Sequence, residues 1–198
     1  MKPAYRLSAG ALALSLFSVG AAAHDVVFYG TLAPDAGSAL SPPSQGTGSV
    51  VAVFNDDEYT IDLSFSFSGL SGTTTAAHLH CCTLNPGVGT SGVASPVPSF
   101  PGFETGVTAG SYHQFFDLTQ AGSWNPAFLA IYGNSINDAF SAFSTGMNEG
   151  TVYLNIHTSL ATGGEVRAFL SSVPEPASWG LLTLGLLAVG GAARRSRA

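Results

Sequence analysis

Positive charge is nearly missing from this 198-residue chain: six Lys and Arg stand against twelve Asp and Glu, and five of those six cations lie in the first six or last five residues. Between His24 and Val173 Arg167 faces eleven carboxylates alone. A segment so acidic has nothing with which to neutralise phosphates, and nucleic acid is excluded as a partner. Cysteine is as scarce. The only two, Cys81 and Cys82, are adjacent, which rules out the disulfide framework of a small stapled domain. Also missing are a Gly-rich phosphate-binding loop, a nucleophile elbow and a paired-carboxylate signature. What is abundant is glycine, at 24 residues, with 13 Phe and many Ser and Thr. That mixture suits an exported protein.

The two ends read as addresses. Met1-Lys2-Pro3-Ala4-Tyr5-Arg6 gives a basic start, and the apolar run that follows closes on Ala21-Ala22-Ala23. This is the pattern of a secretory signal over 1–23, cut by signal peptidase after Ala23. At the other end, over 174–198, a Pro174-Glu175-Pro176 turn precedes an apolar run from Ala177 to Ala193 and a basic terminus of Arg194, Arg195 and Arg197. As a helix those apolar residues span roughly 25 Å, a marginal transmembrane helix for a hydrocarbon core of about 30 Å, with the arginines held in the cytoplasm. The three parts in this order resemble the PEP-CTERM sorting signal of exopolysaccharide-producing bacteria. The resemblance implies removal of the tail by an exosortase, so that inner-membrane anchoring is transient. A tail anchor that stays is the alternative.

The remainder, 24–173, is long enough for one domain with a real core. Strand patterns occur at 25–32, 48–55 and 58–70. In the third, Tyr59, Ile61, Leu63, Phe65 and Phe67 alternate with Thr60, Asp62, Ser64, Ser66 and Ser68, the period of a half-buried antiparallel sheet. Asn55-Asp56-Asp57 makes a hairpin turn. Further strands read over TAAHLHCC, SYHQFFDL, TVYLNIHT and EVRAFLS. Ile136, Ala139, Phe140, Phe143 and Met147 recur at helical spacing and predict a short core-packed helix. The long Pro/Gly-rich loop from Asn85 to Gly110, with Phe100, Phe103 and Tyr112, is a candidate binding surface for polysaccharide or protein.

The chemistry concentrates in His78-Leu79-His80-Cys81-Cys82. If the strand runs through the whole stretch, His78, His80 and Cys82 share one face. His157 lies on the polar face of its own strand, with Tyr153 and Asn155. Paired face to face, the two strands would assemble three imidazoles, with Cys82 as a fourth ligand, around zinc or copper. The competing reading gives these histidines hydrogen bonds to backbone or to Glu165 and no ion. His113, inside an aromatic strand, and His24, which would chelate copper only as a mature N-terminus, are weaker candidates. For Cys81 and Cys82 a vicinal disulfide, two free thiols and an intermolecular bridge all stay open. Glu165 and Arg167, two apart on one face, form a structural ion pair or a set of carbonyl contacts that ties the last hairpin to the sheet; an Arg that anchors a ligand is the alternative.

Ala77-His78-Leu79-His80, then Tyr153-Leu154-Asn155-Ile156-His157-Thr158, then Gly163-Gly164-Glu165-Val166-Arg167 resemble the CHRD domain across roughly 25–171. Cys81 and Cys82 depart from the small residues that commonly follow the HxH, and Ala168 stands where Gly is usual. The resemblance implies an antiparallel immunoglobulin-like or superoxide-dismutase-like β-sandwich or barrel, here with a short helical insertion. It does not bring dismutase activity, because a full ligand set with a bridging imidazole is not visible. The resulting expectation is an exported, surface-sorted structural or binding component of the extracellular polysaccharide matrix, with exopolysaccharide or matrix proteins as partners. A metal-binding or redox protein using the His/Cys site is the alternative.

Overall fold

The computed structural model describes residues 25–172. The expected signal peptide, the Pro174-Glu175-Pro176 motif and the C-terminal apolar helix lie outside these. Eight strands follow in chain order: β1 (Asp25–Pro34), β2 (Thr47–Asn55), β3 (Thr60–Ser68), β4 (Thr74–His80), β5 (Gly110–Asp117), β6 (Tyr153–Thr158), β7 (Val166–Phe169) and β8 (Ser171–Ser172). Two helices, α1 (Pro126–Ile131) and α2 (Ile136–Glu149), fall between β5 and β6. The strands form a mainly antiparallel sheet in the order β4-β6-β7-β1-β2-β3-β5, with β8 on β1. It curls into a half-barrel. The curl turns on β1, whose residues 25–32 pair with β2 while Ala33 and Pro34 pair with β7.

Alternation drives the sheet. Ile61, Leu63, Phe65 and Phe67 of β3 are buried, and Asp62, Ser64 and Ser66 point outward, as the pattern requires. The β2–β3 hairpin closes because Asn55 Oδ1 accepts from the backbone amides of Asp57 (3.1 Å) and Glu58 (2.8 Å), the side-chain turn chemistry characteristic of Asn. Gly30 is needed where β1 meets β7: a Cβ there would lie 2.7 Å from the Phe169 carbonyl oxygen and 2.9 Å from Ala168 Cβ. Ala168 is therefore tolerated because Gly30, which its Cβ approaches, has no side chain.

The expected short helix is α2, and α1 falls where the stretch from Ala127 to Tyr132 reads as one helical turn or two. Asn125 caps α1, with Pro126 at its first turn, and Ser135 caps α2. The predicted stripe is the buried one: Ala139, Phe140, Phe143 and Met147 face the sheet, and Phe140 stacks between Tyr59 and Phe54. Among the described residues no helix is long and apolar enough to cross a membrane.

The loop after β4 does not present its aromatic rings to solvent. Phe100, Phe103 and Tyr112 are all buried, packed with Phe65 in one aromatic cluster. Tyr112 donates its hydroxyl proton to the Pro101 carbonyl (2.9 Å), and burial pushes its pKa up to about 12. The expectation of an aromatic binding loop is thus corrected: apolar rings followed the hydrophobic gradient inward. The loop instead runs along β4, with Ala94 N–H donating to Leu79 O and Phe100 N–H to Ala77 O, and so lids the strand that carries His78 and His80.

Candidate metal centre

β4 and β6 pair with His80 opposite Tyr153, His78 opposite Asn155 and Ala76 opposite His157. Residues two apart share a face, so His78, His80, Tyr153, Asn155 and His157 all lie on the side that the loop covers. The ring centroids of His78 and His157 are 5.1 Å apart, those of His80 and His157 5.9 Å, and those of His78 and His80 6.0 Å. One nitrogen from each ring lies within 4.8 Å of the other two. His78 is 6% and His80 7% exposed, while His157 is half-buried.

Each ring spends one nitrogen on a backbone carbonyl. His78 Nε2 bonds to Pro98 O (2.7 Å), His80 Nδ1 to Ser91 O (2.9 Å) and His157 Nδ1 to Thr162 O (2.8 Å). A carbonyl only accepts, so in each case the ring nitrogen donates, and that assignment fixes the tautomer. The bare lone pairs are then on His78 Nδ1, His80 Nε2 and His157 Nε2. These are the three ring nitrogens that are buried without a partner. A buried polar atom left without a hydrogen bond costs roughly 1–3 kcal/mol, and here three such atoms are gathered at one place.

Protonation would not relieve them cheaply. Burial, reinforced by the neighbouring His157 and His80, lowers the pKa of His78 from 6.5 to about 4 against the opposing pull of the Pro98 carbonyl. Burial and His157 lower His80 as well, opposed by Ser91 and Asp35. Both rings are neutral at pH 7, which is the form that binds a metal. An ion bonded at about 2.1 Å to three imidazoles in tetrahedral directions holds their nitrogens about 3.4 Å apart.

Cys82 is not with them. β4 ends at His80, so the alternation that would have placed Cys82 beside the histidines stops two residues early. Cys81 and Cys82 are instead joined to each other as a vicinal disulfide, and Cys82 Sγ lies 3.5 Å from the Ala142 carbonyl of α2. A sulfur in a disulfide is not the thiolate a metal needs. The helix accommodates the pair through Gly146, whose Cβ, were there one, would lie 2.6 Å from Cys82 Sγ.

The Glu165–Arg167 ion pair is also corrected. Glu165, 0% exposed, accepts from Ser44 Oγ, the Ser71 amide, the Gly72 amide (3.0 Å) and Thr158 Oγ1 (2.7 Å). Burial alone would raise its pKa; the hydrogen bonds outweigh burial and hold it below the usual value. Arg167 turns to Asp35 (3.4 Å), donates to the Gly89 carbonyl (2.8 Å) and lies over the rings of Tyr153 and Phe169. The carboxylate is saturated by four neutral donors, and the guanidinium found a different acid. Asp35 and the three carbonyl acceptors carry no signal in the sequence. His113 is on the outer face, paired with Asp62 at 2.7 Å, away from the cluster. His24 lies outside the described residues.

A family model for the CHRD domain matches residues 28–170, a span that holds most of β1, all of β2 to β7 and the three clustered histidines. The chain belongs to the CHRD domain family. A second model, for the PEP-CTERM protein-sorting motif, matches residues 172–197. A CHRD domain carrying that motif is an exported, surface-sorted protein, and the motif implies export to the cell envelope and processing by an exosortase. No curated protein and no solved structure gives a significant match. The function of this CHRD domain therefore has to be read from its own site.

Proposed function

We propose that this protein is an envelope-sorted metal-binding module, in which the CHRD domain holds one ion of zinc or copper on His78, His80 and His157. One observation carries the reading. Three buried ring nitrogens, each freed by a carbonyl bond on the far side of its ring, lie in one cluster without partners. The far-side bonds are what metal-bound histidines ordinarily make. The covering loop supplies two of those carbonyls, Ser91 and Pro98, so the Pro/Gly-rich segment acts as the outer wall of the site rather than as a separate binding surface.

Thermal unfolding tests this. An ion that binds only the folded chain at one hundred times its Kd stabilises by about 2.7 kcal/mol, which for a domain of this size raises Tm by roughly 5–10 °C. Zinc or copper is expected to raise Tm and a chelator to reverse it, with both effects gone in the His78→Ala/His80→Ala double variant. A Tm unmoved by either ion and by chelator contradicts the proposal.

A role as a structural or binding component of the polysaccharide matrix is the second reading. The sorting motif supports it, together with a row of hydroxyls running across three paired strands on the outer face, Ser49, Ser66 and Ser111. Retention of the protein in the matrix after Ser49→Lys/Ser66→Lys substitution would contradict use of that face.

A further inference from the structure

We infer that the three-histidine site is selective for monovalent copper, Cu(I), over divalent zinc. This deepens the metal-binding reading above and rests on it.

The deciding quantity is charge. The cost of burying an ion rises with the square of its charge, so a monovalent ion pays about a quarter of what a divalent one of like size does. Anionic ligands, or carboxylates behind the histidines, reduce the larger cost where a protein supplies them. Neither is present among the described residues. The cluster consists of three neutral imidazoles with no Asp, Glu or Cys in it. All three far-side acceptors are uncharged backbone carbonyls, of Pro98, Ser91 and Thr162.

The acids that might have helped are committed elsewhere. Glu165 is held by Ser44, Ser71, Gly72 and Thr158. Asp35 is matched by Arg167 and the Gly37 amide. Arg167 itself lies over the ring of Tyr153, which stacks on His80 at 4.8 Å, so its charge offsets the attraction that Asp35 exerts on a cation beside His80. The opposite residue to His78 is Asn155, neutral where an Asp of the same shape would fit, and its Oδ1 is buried without a partner.

Coordination number points the same way. Zinc with three protein ligands completes its shell with water or substrate. Here the wall is aromatic, with Tyr153 on His80 and Phe100 6.5 Å from His78, and two of the three histidines are buried. Cu(I) is satisfied by three imidazole nitrogens in a plane and needs no fourth ligand.

The test is a pair of anaerobic competition titrations on the exported protein. Cu(I), supplied as its acetonitrile complex, competes against bicinchoninate; Zn(II) competes against a chromophoric zinc chelator. Ascorbate serves as reductant so that the Cys81–Cys82 bond is left alone. The expected result is one Cu(I) per chain, bound at least tenfold tighter than zinc, abolished in His157→Ala and kept in Cys81→Ser/Cys82→Ser. Zinc bound as tightly as Cu(I) or more so overturns the selectivity and leaves metal binding standing. Copper that survives His157→Ala but is lost from the cysteine variant overturns it too, by placing the ion on sulfur. Neither ion bound overturns both this inference and the reading beneath it.

Discussion

Acid should loosen the metal-free protein well above the range in which carboxylates titrate. His78 has a pKa near 4 when folded against 6.5 as a free side chain. Between those values the unfolded chain takes up a proton that the folded chain refuses. Because the unfolded state binds more protons there, stability rises with pH across the window and is lost as pH falls from about 6.5 toward 4. The span is about 2.5 pK units, or roughly 3 kcal/mol for His78 at 1.36 kcal/mol per unit. His80 shifts in the same direction and adds to the loss. Glu165 contributes in a lower window: its folded pKa lies below 4.5, so its stabilisation is present above that value and is lost only as pH falls further. Urea unfolding of the chelator-treated protein at pH 7, 6, 5 and 4.5 reads this directly. The expected result is a midpoint that falls steadily over the upper window, with the slope reduced by up to one proton in His78→Gln. A midpoint constant from pH 7 to 5, or an unchanged slope in the variant, would show that the folded chain does not hold His78 neutral over this window.

Three further outcomes are expected. Gly146→Ala should destabilise by roughly 1–3 kcal/mol through overpacking, although Gly to Ala within a helix ordinarily stabilises by about 1 kcal/mol; the added Cβ meets Cys82 Sγ at 2.6 Å, and a raised urea midpoint would contradict that packing. Glu165→Ala should cost about 3 kcal/mol or more by stranding the Ser71 and Gly72 amides and two hydroxyls, measured by the same unfolding assay, where a loss under 1 kcal/mol would show the hub to be dispensable. Asn155→Asp, by setting an anion opposite His78, should narrow the gap between Cu(I) and zinc affinities, and an unchanged ratio in competition titration would deny that charge governs the site.

The strands were legible because each carries its own evidence: β3 alternates without error, and the stripe of α2 repeats at helical spacing. The histidine trio was legible for the same reason, since His78 and His80 share a strand face and His157 lies on the polar side of β6. What failed was whatever depended on where a pattern stops. Cys82 continues the alternation of His78 and His80 in the sequence, but β4 ends between them, and the sulfur turns to α2. Glu165 and Arg167 have the spacing of a pair, yet each met a better partner from more than 90 residues away in the chain, Ser71 for one and Asp35 for the other. Phe100, Phe103 and Tyr112 lie in or beside a loop, and a loop's composition does not tell whether its rings face water or core.

The metal content of the exported protein, measured by elemental analysis after purification without a metal-binding tag, tests the central claim most directly, with the His78→Ala/His80→Ala variant prepared beside it. Close to one zinc or copper per chain is expected, absent from the variant. No metal in either protein, after each has also been offered both ions and desalted, would contradict it.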